Sequence, residues 1–354
     1  MEWIRSARYT LGRFCLQNMA LKGKKMKRKK SLFFCLFLAV ALFLTACSSN
    51  GKKESSAPIR IIGLKGPTSM GMVKLMADAK ENSEALPLSF ELVTSPDQAV
   101  PKILKGEADV AALPTNLGAV LYQKSKGEIV NLNINTLGVL YIVEKGDSIQ
   151  SIKDLKGKTL YASGKGASPE YILRYLLKEN GIPPEEVHVD WKNEHAEALA
   201  ALSEDPKALA LLPQPFVTIA QTKVKDLRIA LDLTKEWDKT QEKEEKPSAL
   251  VMGTLLCRKE FVLAHPEEIK ALLKAYEGSV TYVNENKKEA AQLIEEFGIF
   301  PAPIAEKSLP YCNLVSITGP AMKERLCGYL EVLFRENPKS VGGKLPGEDF
   351  YYLP

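Results

Sequence analysis

Histidine and cysteine, the side chains that most often bind transition metals, are scarce in this sequence. The 354 residues include three histidines and six cysteines. His188 and His195 have no cysteine beside them and no HExxH context, which favours structural or solvated histidines over zinc ligands. We therefore expect neither a metal site nor a cofactor.

Only three cysteines, Cys257, Cys312 and Cys327, follow residue 47. An odd number excludes a complete disulfide framework. One bridge between Cys312 and Cys327 remains an alternative for an exported protein, whereas buried free thiols are the interpretation that we prefer.

Catalytic motifs are lacking as well. The glycine-rich segment GKGAS at residues 164–168 is not a P-loop, because no Ser or Thr follows Lys165 and the earlier glycine of that motif is missing at the required offset. No nucleophile with a base, acid–base pair or metal cluster can be recognised along the chain. The sequence predicts a binding protein rather than an enzyme.

Excess positive charge is confined to the start of the chain, although the formal net charge is +5. Residues 1–46 hold ten of the 48 Lys and Arg residues and one of the 43 Asp and Glu residues, so the rest is slightly acidic, at about −4. An acidic body does not favour binding to a phosphate backbone, and no nucleic-acid partner is predicted.

The basic start has the pattern of an export signal. The segment MKRKK at residues 26–30 precedes an apolar run at 31–43 that is too short to span a bilayer comfortably. The next four residues, LTAC, end at Cys47 and resemble the lipobox of bacterial lipoproteins. This resemblance implies cleavage before Cys47, its lipidation, and a location on the extracytoplasmic face of the bacterial cell membrane. An uncleaved membrane helix is the alternative.

Two further segments follow from this interpretation. Residues 1–46 form the signal segment, and translation is expected to start at Met26 or Met19, because a signal normally begins near the initiator methionine. Residues 47–57 contain the lipidated cysteine and a small, polar run, which is typical of a flexible tether.

Beyond residue 57, strand-like and helix-like segments alternate with short turns. This repeated βαβ pattern predicts an α/β fold in which mainly parallel sheets are flanked by helices. A change of pattern near Glu144 and an apolar strand at 249–257 predict two crossings between two lobes. Lobe 1 would comprise residues 58–145 and 250–354, and lobe 2 residues 146–249. The charged run at 235–246 predicts a solvated loop or short exposed helix.

The stretch YASGKGASPEYILRYLLKEN at residues 161–180 predicts a strand end, a glycine turn and a helix. Ser168 is a typical N-cap, and Pro169 suits the first helical position. The N–H groups of such a helix start can bind an anion or a polar ligand group, whereas a plain connection is the alternative. Four similar turns lie at residues 65–69, 114–116, 191–194 and 213–216. Since ligands bind beyond the carboxyl ends of parallel strands, these five turns predict one cleft between the lobes.

The chain resembles ABC-transporter solute-binding lipoproteins of the nitrate, sulfonate and taurine type in four segments: GLKGPTSMGMVKLM, GEADVAALPTNLGAVLY, SIKDLKGKTLYASGKGASPEYILRYLLKENGI and ALLPQPFVTIA. The resemblance covers essentially the whole chain after the signal. It implies the type II periplasmic-binding-protein fold, which is related to thiamine-pyrimidine-precursor binding proteins, with two lobes closing on a small molecule. It also implies a monomer that delivers its ligand to a membrane permease with a cytoplasmic ATPase.

The resemblance further implies that the turns at the cleft contact the ligand. The expected ligand-binding residues are Lys65, Thr68, Ser69, Met70, Thr115, Asn116, Lys165, Gly166, Ala167, Ser168, Trp191, Gln214 and Phe216. Among them, the apolar side chains would form walls, together with Pro67, and the two lysines could supply charge. For each residue alone, a structural role is the alternative.

The sequence does not decide the identity of the ligand. No arginine lies in the five turns, so a sulfonate, taurine or nitrate ligand would depend on N–H groups and lysine. A pyrimidine-type thiamine precursor or another aromatic ring, held by Trp191 or Phe216, is the alternative. Two other functions are alternatives: a lipoprotein that docks on a membrane sensor, and a pyrimidine synthase of the same fold. The synthase pattern requires a cysteine-rich motif and a histidine in the amino-terminal lobe, which this chain lacks.

Overall fold

The computed structural model describes residues 57–81, 86–205, 207–244 and 247–354. The signal segment, Cys47 and almost all of the tether lie outside these residues, so the predictions about them remain predictions. Within the described ranges, no helix combines the length and the apolar character that a membrane crossing requires.

The strands are mostly short apolar runs bounded by glycine, proline or polar residues. In the described residues there are eleven: β1 (Ile59–Leu64), β2 (Leu88–Val93), β3 (Val110–Pro114), β4 (Ile129–Leu137), β5 (Leu140–Lys145), β6 (Thr159–Ser163), β7 (His188–Lys192), β8 (Leu209–Pro213), β9 (Leu227–Asp232), β10 (Val251–Arg258) and β11 (Leu314–Ile317).

The helices follow the strands in sequence, and several begin with a proline in the first turn, where its fixed φ is already helical. The described residues form α1 (Pro67–Met70), α2 (Val73–Glu81), α3 (Pro96–Leu104), α4 (Thr115–Lys124), α5 (Ser168–Glu179), α6 (His195–Glu204), α7 (Phe216–Lys223), α8 (Leu233–Gln241), α9 (Lys259–Ala264), α10 (Pro266–Glu285), α11 (Lys287–Glu296), α12 (Ala302–Ser308) and α13 (Gly319–Glu336).

The first sheet has six strands in the order β11-β4-β10-β3-β1-β2. β1 pairs in parallel with β2 and β3, so the turns after these strands share one edge. β10 lies antiparallel between β3 and β4, and β11 pairs antiparallel with β4. The carboxyl ends of β1, β3 and β4 and the start of β10 therefore meet at the same edge.

The second sheet has five strands in the order β7-β6-β8-β5-β9. β6 pairs in parallel with β7 and β8, whereas β5 pairs antiparallel with β8 and β9. Two α/β sheets flanked by helices confirm the predicted fold class. Each sheet also contains antiparallel pairs, which a repeated βαβ pattern does not predict.

The chain passes from the first sheet to the second at Gly138 and Val139, between β4 and β5. The boundary predicted near Glu144 is wrong, because β5, which contains Glu144, belongs to the second sheet. Only glycine fits at residue 138, since an added Cβ would lie 2.0 Å from Thr234 Oγ1. We call residues 57–137 and 251–354 the first lobe, and residues 140–249 the second lobe.

The charged segment that follows β9 is a helix, α8, with one buried face. The prediction of a solvated loop or exposed helix is wrong for Trp237, whose side chain is fully buried. The centre of its ring lies 4.8 Å from that of Tyr175 and 5.6 Å from that of Tyr329. Trp237 therefore joins α8 to α5 and α13.

A hydrophobic core runs through both lobes on the side of α13. It includes Ile62 and Leu256 from the first sheet together with Leu160 and Leu211 from the second. α13 packs on α4 and on α5, which belong to different lobes. On this side the two lobes are therefore held together by apolar burial.

Free thiols are the observed state of the three cysteines in the described residues. Burial raises the pKa of Cys312 to about 12, which keeps it protonated and unreactive at neutral pH. The bridge between Cys312 and Cys327 is wrong, since both are free. The preferred interpretation, buried free thiols, is confirmed for Cys257 and Cys312, whereas Cys327 is free but half-buried.

Candidate functional site

Buried hydroxyl groups collect at the edge where the strands of the first lobe end. Thr68 and Ser69 follow β1 within α1, and Thr115 begins α4 directly after β3. The hydroxyl oxygens of all three are buried and have no hydrogen-bond partner among the described residues. Because buried polar groups in native proteins nearly always have partners, these three hydroxyls are candidates for contacts with a polar ligand.

Asn135, which the sequence interpretation missed, supports one of these turns. It is fully buried in β4, and its Nδ2 donates to the backbone oxygen of Thr68 at 3.1 Å. The register of β4 against β10 shifts between Gly253 and Thr254, which leaves Asn135 as an extra residue in its strand. Such a bulge changes the direction of a side chain beside a functional site. The signal in the sequence is a buried strand, IVNLNINTL, in which asparagines alternate with apolar residues, although this pattern does not single out Asn135.

Glycine is required at residue 253 because neighbouring side chains approach its backbone closely. An added Cβ would lie 2.4 Å from Asn135 Oδ1 and 2.7 Å from Thr68 Cγ2. We expect Gly253→Ala to lower the free energy of unfolding by about 1–3 kcal/mol, the usual effect of overpacking a filled core.

The matched control for this prediction is Gly278→Ala in α10, where no atom lies within 4 Å of an added Cβ. Alanine in that helix interior should raise the free energy of unfolding by up to about 1 kcal/mol. Urea denaturation measures both variants, and equal stabilities would contradict the close approach at Gly253.

Ser168 and Asn116 connect the two lobes directly. Ser168 Oγ donates to Asn116 Oδ1 at 3.0 Å, and Asn116 Nδ2 donates to the backbone oxygen of Ser340 at 3.3 Å. Ser168 is the first residue of α5, whose N-cap is Ala167, so the capping role predicted for Ser168 is wrong. Two predicted ligand-binding side chains thus come together, and they bind each other.

Gln214 contributes a buried amide from the second lobe. Its backbone N–H donates at 2.9 Å to the backbone oxygen of Val139, in the crossing between the lobes. Its side-chain Nε2 is buried and has no acceptor among the described residues. Gln214 therefore lies beside the crossing between the lobes and carries a polar group without a partner among the described residues.

Aromatic rings of both lobes meet beside His195. The centre of the Phe216 ring lies 5.0 Å from that of His195 and 6.3 Å from that of Phe300, which belongs to the first lobe. His195 Nδ1 also forms a hydrogen bond with Ser163 Oγ at the end of β6. Burial lowers the pKa of His195 to about 4, so its ring is neutral at pH 7. His195 and Phe300 extend the aromatic wall predicted at Phe216.

In the glycine turn before α5, backbone N–H groups donate to acceptors within the same segment of the chain. The N–H of Gly166 donates to Glu170 Oε2 at 2.6 Å, and the N–H of Ala167 donates to the backbone oxygen of Gly164 at 3.0 Å. Both predicted cationic residues, Lys65 and Lys165, are exposed. The buried part of the candidate site is therefore built from neutral hydroxyl and amide groups.

Two predicted wall residues lie elsewhere. Met70 is fully buried in the core between the first sheet and α10, together with Tyr276 and Val280. Trp191 shares the face of β7 that packs on α5, where it borders a shallow groove with Leu173. Neither residue belongs to the wall that the sequence predicted.

The sequence model of the NMT1/THI5-like family matches residues 82–290, which is more than half of the chain. The chain belongs to the NMT1/THI5-like family. No curated protein sequence matches it.

Solved structures with the fold of this NMT1/THI5-like chain include ABC-transporter binding proteins. An ABC transporter protein from Parabacteroides distasonis is 25% identical, with 84% of this chain and 99% of that chain covered and a TM-score of 0.71. The periplasmic aliphatic sulphonate binding protein SsuA from Escherichia coli is 17% identical, with 85% and 93% covered and a TM-score of 0.68. The periplasmic nitrate-binding protein NrtA from Synechocystis PCC 6803 is 14% identical, with 72% and 70% covered and a TM-score of 0.52. The fold is that of the type II periplasmic binding proteins.

Proposed function

We propose that this chain is the solute-binding component of an ABC importer, anchored through Cys47 at the extracytoplasmic face of the cell membrane. The observation that carries the proposal is the set of buried, unpartnered hydroxyl and amide groups where the two lobes meet. The lobes would close over a small molecule and deliver it to a permease with a cytoplasmic ATPase. An ABC transporter protein from Parabacteroides distasonis and the sulphonate binding protein SsuA have the same fold, which supports binding rather than catalysis.

The proposed ligand is a small anion of the sulfonate, taurine or nitrate type. Hydroxyl and amide N–H groups can donate to its oxygens without a buried cation. The helices α4 and α5 begin at Thr115 and Ser168, so the positive ends of two helix dipoles face the same region. Relatives of this fold that bind sulphonate and nitrate support the proposal.

A ring compound, such as a pyrimidine-type thiamine precursor, is the second candidate ligand. Phe216 and Phe300 bring aromatic faces from both lobes beside a neutral His195. Such rings stack on or pack edge-to-face against a planar ligand.

Thermal melting of the lipid-free body, residues 48–354, separates these ligands. The panel comprises taurine, ethanesulfonate, nitrate, bicarbonate, pyrimidine precursors and riboflavin. A compound that binds the folded state in excess raises the melting temperature in proportion to RT ln(1 + [L]/Kd). A shift with sulfonates supports the anion site, a shift with ring compounds alone supports the aromatic wall, and no shift with any compound contradicts the proposed function.

A Thr115→Val variant should bind the responding compound about tenfold more weakly, since one hydrogen bond is worth about 1–1.5 kcal/mol. Because the hydroxyl of Thr115 has no partner in the part of the chain that the structure describes, its removal should leave the melting temperature of the free protein unchanged or raised. Titration calorimetry and melting measure the two effects. The control is Thr222→Val at an exposed position, and a stability loss without an affinity loss at Thr115 would show a structural role.

A further inference from the structure

Gln214 is oriented by one neighbour. Its Oε1 accepts from the backbone N–H of Thr218 at 3.3 Å and from Thr218 Oγ1 at 2.9 Å. A backbone N–H can only donate, so the side-chain atom that faces it must be the amide oxygen. This contact therefore distinguishes the oxygen of the Gln214 side-chain amide from its nitrogen.

The opposite end of the amide is then an N–H donor in a fixed direction. Gln214 is 1% exposed, and its Nε2 has no acceptor among the described residues. A buried donor without an acceptor destabilises the folded chain, which is why native proteins keep few of them. The group gains an acceptor only when something else supplies one.

The unpartnered side chains in the turns after β1 and β3 behave differently. Thr68, Ser69 and Thr115 present hydroxyl groups, which can either donate or accept. They adapt to either kind of ligand atom. Among these four unpartnered groups, only the Gln214 amide has its hydrogen-bond polarity set by the protein, and it therefore has the greatest influence on which ligand atom is accepted.

We propose that Thr218 is the positioning residue that holds the Gln214 amide as a donor, so that the site selects ligands presenting an acceptor oxygen to Gln214. The inference rests on the proposed function and narrows its ligand class. Sulfonate oxygens and ring carbonyls fulfil the requirement. If a ligand presents an ammonium or N–H group at this position, neither that group nor the Gln214 amide N–H finds an acceptor. Such a ligand is therefore rejected.

Ethanesulfonate is the first probe, measured by calorimetry and melting. Gln214→Glu replaces the donor by an oxygen of similar shape and should weaken binding by at least tenfold. Thr218→Val removes one of the two contacts that orient the amide and should weaken binding about threefold to tenfold, while Thr218→Ser should retain wild-type affinity. In ¹⁵N-labelled protein, the side-chain amide signal of Gln214 should shift when ethanesulfonate is added.

The matched control is Gln241→Glu. Gln241 is also buried, but its Nε2 donates to Tyr175 Oη at 2.7 Å and its Oε1 accepts from the backbone N–H of Ser248 at 2.8 Å. This variant should retain ethanesulfonate affinity, and the Gln241 signal should not shift.

The outcomes separate the two proposals. If the wild type responds to ethanesulfonate or to a ring carbonyl compound while Gln214→Glu and Thr218→Val respond equally well, the inference is overturned and the proposed function stands. If Thr218→Ser loses as much affinity as Thr218→Val, the hydroxyl does not position the amide and the inference is also overturned. A wild type that responds to no compound overturns the proposed function and this inference with it.

Discussion

A Trp237→Ala variant should lose about 3–5 kcal/mol of unfolding free energy, the largest single effect on stability expected in this protein. Trp237 is fully buried, and its ring contacts Tyr175 of the second lobe and Tyr329 of α13. Its indole N–H also donates to the backbone oxygen of Ser248 at 3.2 Å. Alanine would leave a cavity in the core that joins the lobes and would leave that oxygen without its donor.

Urea denaturation monitored by circular dichroism measures this loss, with Trp191→Ala as the control. Trp191 is half-buried on the face of β7 that packs on α5, whereas Trp237 is fully buried, so truncation of Trp191 should cost clearly less. It should also leave ligand affinity unchanged. If Trp191→Ala bound ligand more weakly than the wild type, Trp191 would have to be part of the ligand site, contrary to what its position indicates.

Acidification from pH 6.5 to pH 4 should destabilise the protein through His195, by up to about 3 kcal/mol. Burial lowers the pKa of His195 to about 4 in the folded chain, against about 6.5 for a histidine in an unfolded chain. Between these values the unfolded chain binds more protons than the folded chain, so the free energy of unfolding rises with pH. The contribution of neutral His195 to the free energy of unfolding is complete above pH 6.5 and is lost as the pH falls toward 4.

Urea denaturation at pH 7.5, 6.0, 5.0 and 4.5 measures how the free energy of unfolding changes with pH. A His195→Asn variant should show a flatter profile, because it removes the titrating ring beside Ser163 and Phe216. His188→Gln, at an exposed position, should keep the wild-type slope. Parallel profiles for wild type and His195→Asn would show that His195 titrates normally.

Trp191 illustrates why the site could be predicted only in part. Alternation along a strand shows that Val189 and Trp191 share one face, but it does not show which face a helix covers. The pairing of Ala162 with Trp191 and the packing of α5 decide that question. The residues at strand ends, Thr68, Thr115 and Gln214, were predictable because their position follows from the direction of the strands.

Asn135 and Phe300 could not be predicted because each acts through a contact between distant parts of the chain. The contact of Thr218 with Gln214 is local, but no sequence motif marks it. Asn135 reaches Thr68 through a strand bulge, and Phe300 meets Phe216 across the two lobes. Thr218 matters only because its N–H faces the side chain one helical turn before it. None of these contacts leaves a periodic signal in sequence.

By itself, the sequence determined the fold class, the alternation of strands and helices and the turns from which ligand contacts were expected, because hydrophobic period and turn residues are local properties. The tertiary structure alone decided where the chain crosses between the sheets, since β4 and β5 are both buried strands whose partners cannot be inferred from composition. It also decided which polar groups remain unpartnered. Ser168 and Asn116 satisfy each other, whereas Thr115 and Gln214 keep polar groups without a partner among the described residues.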